Sequence, residues 1–357
     1  MKTSNNNTID FSNQKFFIGI DTHKVNWRVT VQSNQIQLKS CCMNPSPEEL
    51  AVFLKRRYPG GDYYSVYEAG FCGYWINREL QKYGIKNIIV NPADVPTSNK
   101  EKLTKTDRVD SRKLARELEK QTLKGIYIPS EFHQQLRSFC RLRYALTKDQ
   151  TRLKNRIKGH LYFYGKQIPD ESTYWSQRFI NNLKRLEFSD PLGKEYLDIC
   201  LAELGHIREV TLHITKRLRK IVQENAFGHI VKRLYQTVPG IGFISAITLY
   251  SEIIEMKRFS TLERLASYVG LVPSLSASGE KEYTTGITVR SNKYLRYLLI
   301  ESAWVAIKVD EALFQYYSSL IRRMSKKRAI ISVARKLLNR IRHVWSAEEN
   351  YVTGLVQ

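Results

Sequence analysis

The order of short apolar runs in the first third of the chain restricts the fold more than any other feature. FFIGIDTH (16–23), WRVTVQ (27–32) and IQLKSCC (36–42) have the composition and spacing of three successive strands, and the gap between the first two suits a hairpin. The elements predicted after them are a helix at 45–58, a strand at 62–70, a helix at 75–84, a strand at 87–92 and a helix at 106–120. Three antiparallel strands followed by alternating helix and strand predict an α/β domain of the ribonuclease-H type.

The middle third is predicted to be helical. Apolar residues recur every three or four positions from Leu136 to Leu161, and a second stripe follows heptad spacing. The second stripe, which we call the heptad seam, consists of Cys200, Leu204, Ile207, Thr211, Ile214, Leu218 and Ile221. Because heptads alone do not set the partner, the pattern fits both an antiparallel helical hairpin within the chain and a coiled coil that joins two copies.

The last third begins near Leu234 and contains several helical patterns around a Gly/Ser-rich region at 270–286. The predicted class is therefore α/β plus α, in three parts. These parts are a ribonuclease-H-like domain (1–125), a helical or coiled-coil linker (126–230) and a mostly helical C-terminal domain (231–357).

Positive charge dominates the composition. The chain has 57 Lys and Arg against 34 Asp and Glu, a net charge of +23, and the excess extends over all three thirds. Between Glu311 and Glu348 nine basic residues occur without an acid, whereas solvated helix faces usually mix both signs. This pattern favours a nucleic-acid backbone as the partner. The backbone-binding residues predicted from this run are Arg322, Arg323, Lys326 and Lys327.

Other classes are disfavoured by what the sequence lacks. No apolar run approaches the ~20 residues of a transmembrane helix, so no membrane partner is expected. The N-terminal residues contain no apolar secretory region, which predicts a cytoplasmic protein. Five cysteines without a CxxC spacing predict neither a disulfide framework nor a zinc site.

Four acidic residues form the first candidate site. Asp21 ends the first predicted strand, Glu68 ends the fourth, and Asp107 and Asp110 lie three apart on one helix face. Converging carboxylates repel one another unless hard cations neutralise them, and Mg²⁺ prefers such oxygen ligands. Two such metals can hold the attacking and leaving oxygens of a phosphodiester. Taken alone, each acid fits a surface charge or a helix cap better than a site, and only the set of four favours the site.

A serine-rich segment forms the second candidate site. In GLVPSLSASGEKEYTTGI (270–287) no histidine stands near the serines, and Ser278 precedes a glycine. A hydroxyl there fits attack on a phosphodiester, although composition alone also fits a mobile polar loop. Ser274 and Ser276 are not distinguished from Ser278 by composition. The basic residues expected to hold the phosphate are Lys281, Arg290, Lys293 and Arg296.

These motifs occur in one known order. GIDTHK, YEAGFCGYW, KTDRVDSRKLAREL, VPGIG, YVGLVPSLSASGEK and GITVRSNKYLRYLLIESA follow one another along nearly the whole chain. In this order they resemble the DEDD transposases of the insertion-sequence 110 family, relatives of the Piv-type DNA invertases. Each motif is loose by itself, whereas six in the right order are specific.

The resemblance implies a RuvC-like N-terminal domain whose metal-binding catalytic acids are Asp21, Glu68, Asp107 and Asp110. It also implies a helical linker and a C-terminal transposase domain with Ser278 as the nucleophile that becomes joined to DNA. Donor DNA, target DNA and an element-encoded bridge RNA are the implied partners. The implied active complex is a homo-oligomer, a dimer or a tetramer, whose composite sites combine two protomers.

Two other functions fit parts of the sequence. A RuvC-like Holliday-junction nuclease would need the acidic tetrad, but it would hydrolyse with activated water and would not use Ser278. A non-catalytic architectural protein that binds nucleic acid would need neither. The presence of all four acids together with a Ser-Gly pair favours the recombinase.

Overall fold

The computed structural model divides the chain into two compact units, residues 1–128 and 129–357. The residues that it describes are 10–96, 107–167, 174–278, 281–288 and 290–354, with the backbone alone for 107–108 and 274–286. Along the described chain, no helix combines the length and the apolar character needed to cross a bilayer.

The first unit is built around a five-stranded mixed sheet. Its strands, in the spatial order β3-β2-β1-β4-β5, are β1 (Lys15–Thr22), β2 (Trp27–Ser33), β3 (Ile36–Met43), β4 (Asp62–Glu68) and β5 (Lys86–Val90). β1, β2 and β3 are antiparallel, whereas β4 and β5 run parallel to β1. Its helices are α1 (Pro47–Arg57), α2 (Trp75–Lys82) and α3 (Asp107–Glu119). The predicted α/β class of this region is confirmed.

Local sequence explains where α1 begins. The Ser46 side chain accepts a hydrogen bond from the Glu49 N–H, and Pro47 occupies the first helical position, where its missing N–H costs nothing. α1 and α2 cover one face of the sheet. The side chains that meet there are buried and apolar, and they include Phe16, Ile18, Ile20, Leu50, Leu54, Ile76 and Leu80.

The opposite face of the sheet receives α3 at close range. A Cβ atom built on Gly19 would lie 2.0 Å from the Ser111 carbonyl oxygen and 2.5 Å from the Ala115 nitrogen. Only glycine permits this approach of helix to strand. The Thr30 and Ser111 hydroxyls, 2.9 Å apart and buried, fix the same crossing point.

The second unit is helical except for one hairpin. Its helices are α4 (Glu131–Phe163), α5 (Gln177–Lys184), α6 (Pro191–Glu224), α7 (Gly228–Thr237), α8 (Phe243–Ile253), α9 (Leu262–Val269), α10 (Lys293–Ala306), α11 (Glu311–Ile321) and α12 (Lys326–Ala347). The hairpin is formed by β6 (Pro273–Ser278) and β7 (Lys281–Ile287).

The heptad seam lies inside the chain. α4 and α6 pack antiparallel, as the contacts of Arg143 with Thr215 and of His160 with Gly193 show. Leu204 and Leu218 are fully buried, and the apolar residues of α4 cover the seam. The seam is therefore core of a helical hairpin within the chain, the first of the two alternatives that its pattern left open. The heptad pattern identified an apolar stripe but carried no information about its partner.

The core of the second unit joins the two predicted segments 126–230 and 231–357. Leu136, Cys140 and Leu218 belong to the same cluster of buried side chains as Leu299 of α10 and Leu337 of α12. The base of the α4–α6 hairpin therefore packs with the C-terminal helices, while its far end has a smaller core of its own.

Candidate functional site

The strand register brings two of the predicted acids together. β1 and β4 are parallel neighbours, and their pairing ends with Ile20 opposite Tyr67. Asp21 and Glu68 are the next residues on the two strands. Paired strands are about 4.8 Å apart, so these acids are neighbours at the carboxyl end of the sheet. Residues two apart on a strand lie on the same face of the sheet, so Asp21 shares a face with Gly19, and Glu68 shares a face with Val66. This is the face that α3 covers.

The direction of α3 places its first turn at the same end. Glu119, the last residue of α3, accepts a hydrogen bond from Gln32, and Ser111, one turn into the helix, meets Thr30. Because Gln32 and Thr30 pair with Phe17 and Gly19 of β1, the helix runs antiparallel to β1. Its first turn, which contains Asp107 and Asp110, therefore points toward the end of β1 that carries Asp21.

Two basic side chains accompany the acids. His23 Nε2 lies 3.2 Å from Asp21 Oδ2, and Lys113 Nζ lies 3.1 Å from Asp110 Oδ1. Lys113 is buried, and the Asp110 side chain keeps 21 % of its surface exposed. Sequence reasoning missed both contacts. The i, i+2 spacing from Asp21 to His23 on a strand and the i, i+3 spacing from Asp110 to Lys113 on a helix were the available signals.

The carboxylates have the oxygen chemistry of a hard-cation site, and two of them stand on adjacent strands. Among the side chains that the structure describes, no three acidic, histidine or cysteine groups come close enough to form a metal site. The side chain of Asp107 is outside the described residues. The fold thus brings the acids to one end of one face, and their role as metal ligands stays a prediction.

Ser278 lies at the tip of the β6–β7 hairpin. It is the last residue of β6 and pairs with Lys281, the first residue of β7, while Pro273 pairs with Ile287 at the base. The side chains of Ser274, Ser276, Ser278 and Lys281 are outside the described residues. In the segment expected to be either a nucleophile site or a polar loop, the described backbone on both sides of residues 279–280 forms paired antiparallel strands.

The other basic residues of this region differ in accessibility. Arg290 and Lys293 are exposed, whereas Arg296 donates a hydrogen bond to the Thr288 carbonyl. The Arg296 Nε is buried and has no hydrogen-bond partner among the described atoms. Burial lowers the pKa of Arg296 below its usual value. A Cβ on Gly270, whose φ is +85°, would collide with the Arg296 guanidinium and with Ser291. Arg296 therefore packs inward, between the hairpin base and α10.

A buried ion-pair network fixes α10 behind the hairpin. Glu252 of α8 is fully buried, and its carboxylate accepts two hydrogen bonds from Arg141, at 2.7 and 2.9 Å. Arg137 lies 3.4 Å from the same carboxylate, and the Asn292 amide donates to it at 2.8 Å. The carboxylate raises the pKa of Arg141 above its usual value although partial burial acts to lower it.

Asn292 connects this network to α10. It is the N-cap of α10, and its side-chain oxygen accepts hydrogen bonds from the Tyr294 and Leu295 N–H groups. Glu252 thus orients the cap of the helix that follows the hairpin. Sequence reasoning missed Glu252, because an acid inside the apolar run FISAITLYSEI was the only signal.

The predicted basic run forms an exposed cluster where α11 ends and α12 begins. Arg322, Arg323, Lys326 and Lys327 are all exposed, and no acid occupies the first turn of α12. Cations at a helix N-terminus oppose the helix dipole, so this placement does not serve the stability of α12. A cleft that begins at the hairpin base, at Pro273 and Ile287, is lined on the α12 side by Arg328 and Arg335.

Comparisons with known proteins find transposases for both halves of the chain. Residues 18–165 match the family model of DEDD transposases of the IS110 type, and residues 232–318 match that of the transposase IS116/IS110/IS902 family. A putative transposase, y4rJ, of Sinorhizobium fredii is 27 % identical over 90 % of this chain and 89 % of its own length. The transposase for insertion sequence element IS1111A of Coxiella burnetii is 26 % identical over 80 % and 78 %. The corresponding protein of element IS1533 of Leptospira borgpetersenii is 25 % identical over 68 % and 71 %.

Proposed function

This chain belongs to the IS110 family of DEDD transposases, enzymes that cleave and rejoin DNA, and we propose that it is a site-specific recombinase that works through a covalent serine–DNA intermediate. The observation that carries the proposal is the convergence of Asp21, Glu68 and the first turn of α3 on one end of the sheet. Carboxylates that face one another have no structural benefit, since each raises the electrostatic cost of the others, so their placement at this end favours a functional role.

The acids are proposed to hold a divalent cation, Mg²⁺ by preference for oxygen ligands. When bound, such a cation would stabilise the charge that develops on the phosphodiester. The roles proposed for the chain itself are to orient the scissile phosphate and to hold the acids in register through α3. Lys113, which contacts Asp110, would limit the repulsion among the acids when no cation is present.

Ser278 is the proposed nucleophile. Its oxygen forms a bond to phosphorus while the phosphorus–oxygen bond to one DNA strand breaks, and the released strand leaves as a hydroxyl after taking up a proton. Attack by a strand hydroxyl on the phosphoserine reverses these steps. One ester replaces another throughout, so strands are rejoined without ATP. Its place at the end of β6, next to Lys281 in the strand register, supports this role because a cation there can steady the phosphate.

Donor DNA, target DNA and an element-encoded bridge RNA are the proposed partners, in an assembly of at least two protomers. The family resemblance supports nucleic-acid partners. The positive charge in every third of the chain further supports contacts with nucleic acid along most of the protein. The acids belong to the first unit and Ser278 to the second. A composite site formed from two protomers is compatible with this division, and recovery of a structured RNA with the purified protein tests the RNA partner.

Removal of the acids is expected to abolish strand cleavage. Asp21→Asn or Glu68→Gln should reduce recombination by at least about 100-fold, because each removes several kcal/mol of charge stabilisation, while DNA binding persists. The matched control is Asp62→Asn, which changes an exposed acid at the opposite end of β4 and should leave activity unchanged. In a separate measurement, Mg²⁺ or Mn²⁺ should raise the melting temperature of the native chain but not of the variants. Full cleavage by the native chain in excess chelator would overturn the metal role.

Neutralising the exposed cluster should weaken binding and its dependence on salt. Replacement of Arg322, Arg323, Lys326 and Lys327 by Gln is expected to lower the slope of log K against log salt by up to about 3.6, since each of four lost phosphate contacts removes about 0.9 from the duplex slope. A control set consists of cations that already pair with carboxylates, namely Lys82, Lys194, Arg217 and Lys220. An unchanged slope in the first variant would mean that the cluster only faces solvent.

A further inference from the structure

Three tyrosines and three cations form a connected surface on α4 and α10. Tyr144 of α4 meets Tyr294 and Tyr297 of α10 edge to face, with ring centroids 5.1 and 6.0 Å apart. Lys148 Nζ lies 4.6 Å from the Tyr297 centroid, and the Arg141 guanidinium lies 4.7 Å from that of Tyr294. Together with Lys293, these residues make up what we call the tyrosine platform.

The tyrosine platform is open to solvent and held in place. Tyr297 is 47 % exposed, and Lys148 and Lys293 are exposed. Within the described part of the chain, neither lysine has a carboxylate partner at ion-pair distance. The Arg141 side chain is fixed by two hydrogen bonds to Glu252, and α10 is fixed through Asn292. The rings and charges therefore keep their arrangement before any ligand arrives.

From this arrangement we propose that the tyrosine platform binds an unpaired segment of the DNA strand that is cut at Ser278, by stacking at least one base on Tyr297. Exposed aromatic rings interleaved with cations are the chemistry of single-stranded nucleic-acid binding, because bases stack on the rings and cations hold the phosphates. A duplex offers only its phosphates to such a surface, since its base faces are already stacked.

The position of the platform favours the cut strand over other single strands. α10 begins after the short segment that follows Ile287, at the base of the serine hairpin, and the hairpin is about 17 Å long at the usual rise per strand residue. A strand of a few nucleotides joined to Ser278 is long enough to run back along the hairpin toward α10. The inference rests on the proposed nucleophile only for the identity of this strand.

The test measures binding of short single strands to the full chain without added metal. Tyr297→Ala should weaken binding of an oligothymidylate about 5- to 100-fold, the cost of losing one base stack, with less than about a 2-fold effect on a duplex. Tyr297→Phe keeps the aromatic ring and should bind the oligothymidylate as tightly as the native chain does. Tyr162→Ala, a change of another exposed tyrosine, 67 % exposed near the end of α4, is the matched control and should have no effect.

Each outcome decides the inference. Weaker binding to oligothymidylate with unchanged binding to duplex supports it, whether or not binding to oligouridylate also weakens. An equal loss on duplex, a loss confined to oligouridylate, or no loss would overturn it. Because the assay needs no cleavage, a negative result leaves the recombinase proposal untouched. Conversely, if Tyr297→Ala weakens binding of single strands but the native chain forms no covalent adduct at Ser278, the tyrosine platform stands and the proposed nucleophile is wrong.

Discussion

Replacing Ser278 by alanine is expected to remove the covalent protein–DNA adduct and the recombined product together, with a loss of at least about 1000-fold, while DNA and RNA binding remain. Removal of a nucleophile that forms a covalent intermediate abolishes every later step, and the oxygen that alanine lacks has no substitute in the reaction. The measurement uses a nicked substrate whose cleaved end diffuses away, so that the adduct accumulates and survives denaturant.

The neighbouring serines are the matched controls for this experiment. Ser276 lies two residues earlier on β6, and Ser274 lies four residues earlier. Ser276→Ala should keep the adduct. If Ser276→Ala loses the adduct while Ser278→Ala keeps it, the mechanism survives and the nucleophile is a different serine. If all three single variants keep the adduct, the serine mechanism is wrong.

The same experiment separates the recombinase from a junction nuclease. A nuclease of the RuvC type would cleave with water, so Ser278→Ala would leave its products unchanged and no adduct would form in the native chain. Hydrolysis discards the energy of the phosphodiester, whereas a phosphoserine ester keeps it. Cleavage without an adduct that continues in the Ser278→Ala variant would therefore favour the nuclease.

The strands and their order could be predicted from sequence because their signals are local. Alternating or continuous apolar runs such as FFIGID identify strands, and Pro47 and Gly84 lie near the helix ends that the structure has. The neighbours β1 and β4 also followed from topology, since a parallel pair after an antiparallel hairpin belongs to the ribonuclease-H order. Asp21 and Glu68 could thus be paired from the sequence alone.

What sequence could not supply was the partner of each element. The heptad seam fits a dimer and a hairpin equally well, and the choice depends on the apolar stripe of α4, which lies far away in the chain. Arg296 was predicted to hold a phosphate because its charge follows the serine segment. Its inward packing depends on Gly270 and on the carbonyl of Thr288, contacts that no local pattern encodes.

The buried acid Glu252 gives the second large expected effect. Glu252→Ala should lower the free energy of unfolding of the second unit by about 2 to 3 kcal/mol, because it leaves Arg137 and Arg141 without the carboxylate that balances them. Arg137 is only 11 % exposed, whereas Arg141 is 42 % exposed and can regain water, which keeps the effect below the full cost of breaking a buried pair. Glu252→Gln, which keeps the shape and part of the hydrogen bonding, should cost about 1 kcal/mol.

Amide hydrogen exchange is the measurement that locates this effect. In the Glu252→Ala variant, exchange should accelerate in α8 and α10, because the Asn292 cap of α10 loses its anchor. α1, in the other unit, serves as the internal reference and should be unchanged. Glu301→Ala removes an exposed acid of α10 itself and should change neither exchange nor stability measurably. Equal behaviour of the Glu252→Ala and Glu301→Ala variants would mean that the ion pair does not hold α10, and the fixed geometry of the tyrosine platform would then need another cause.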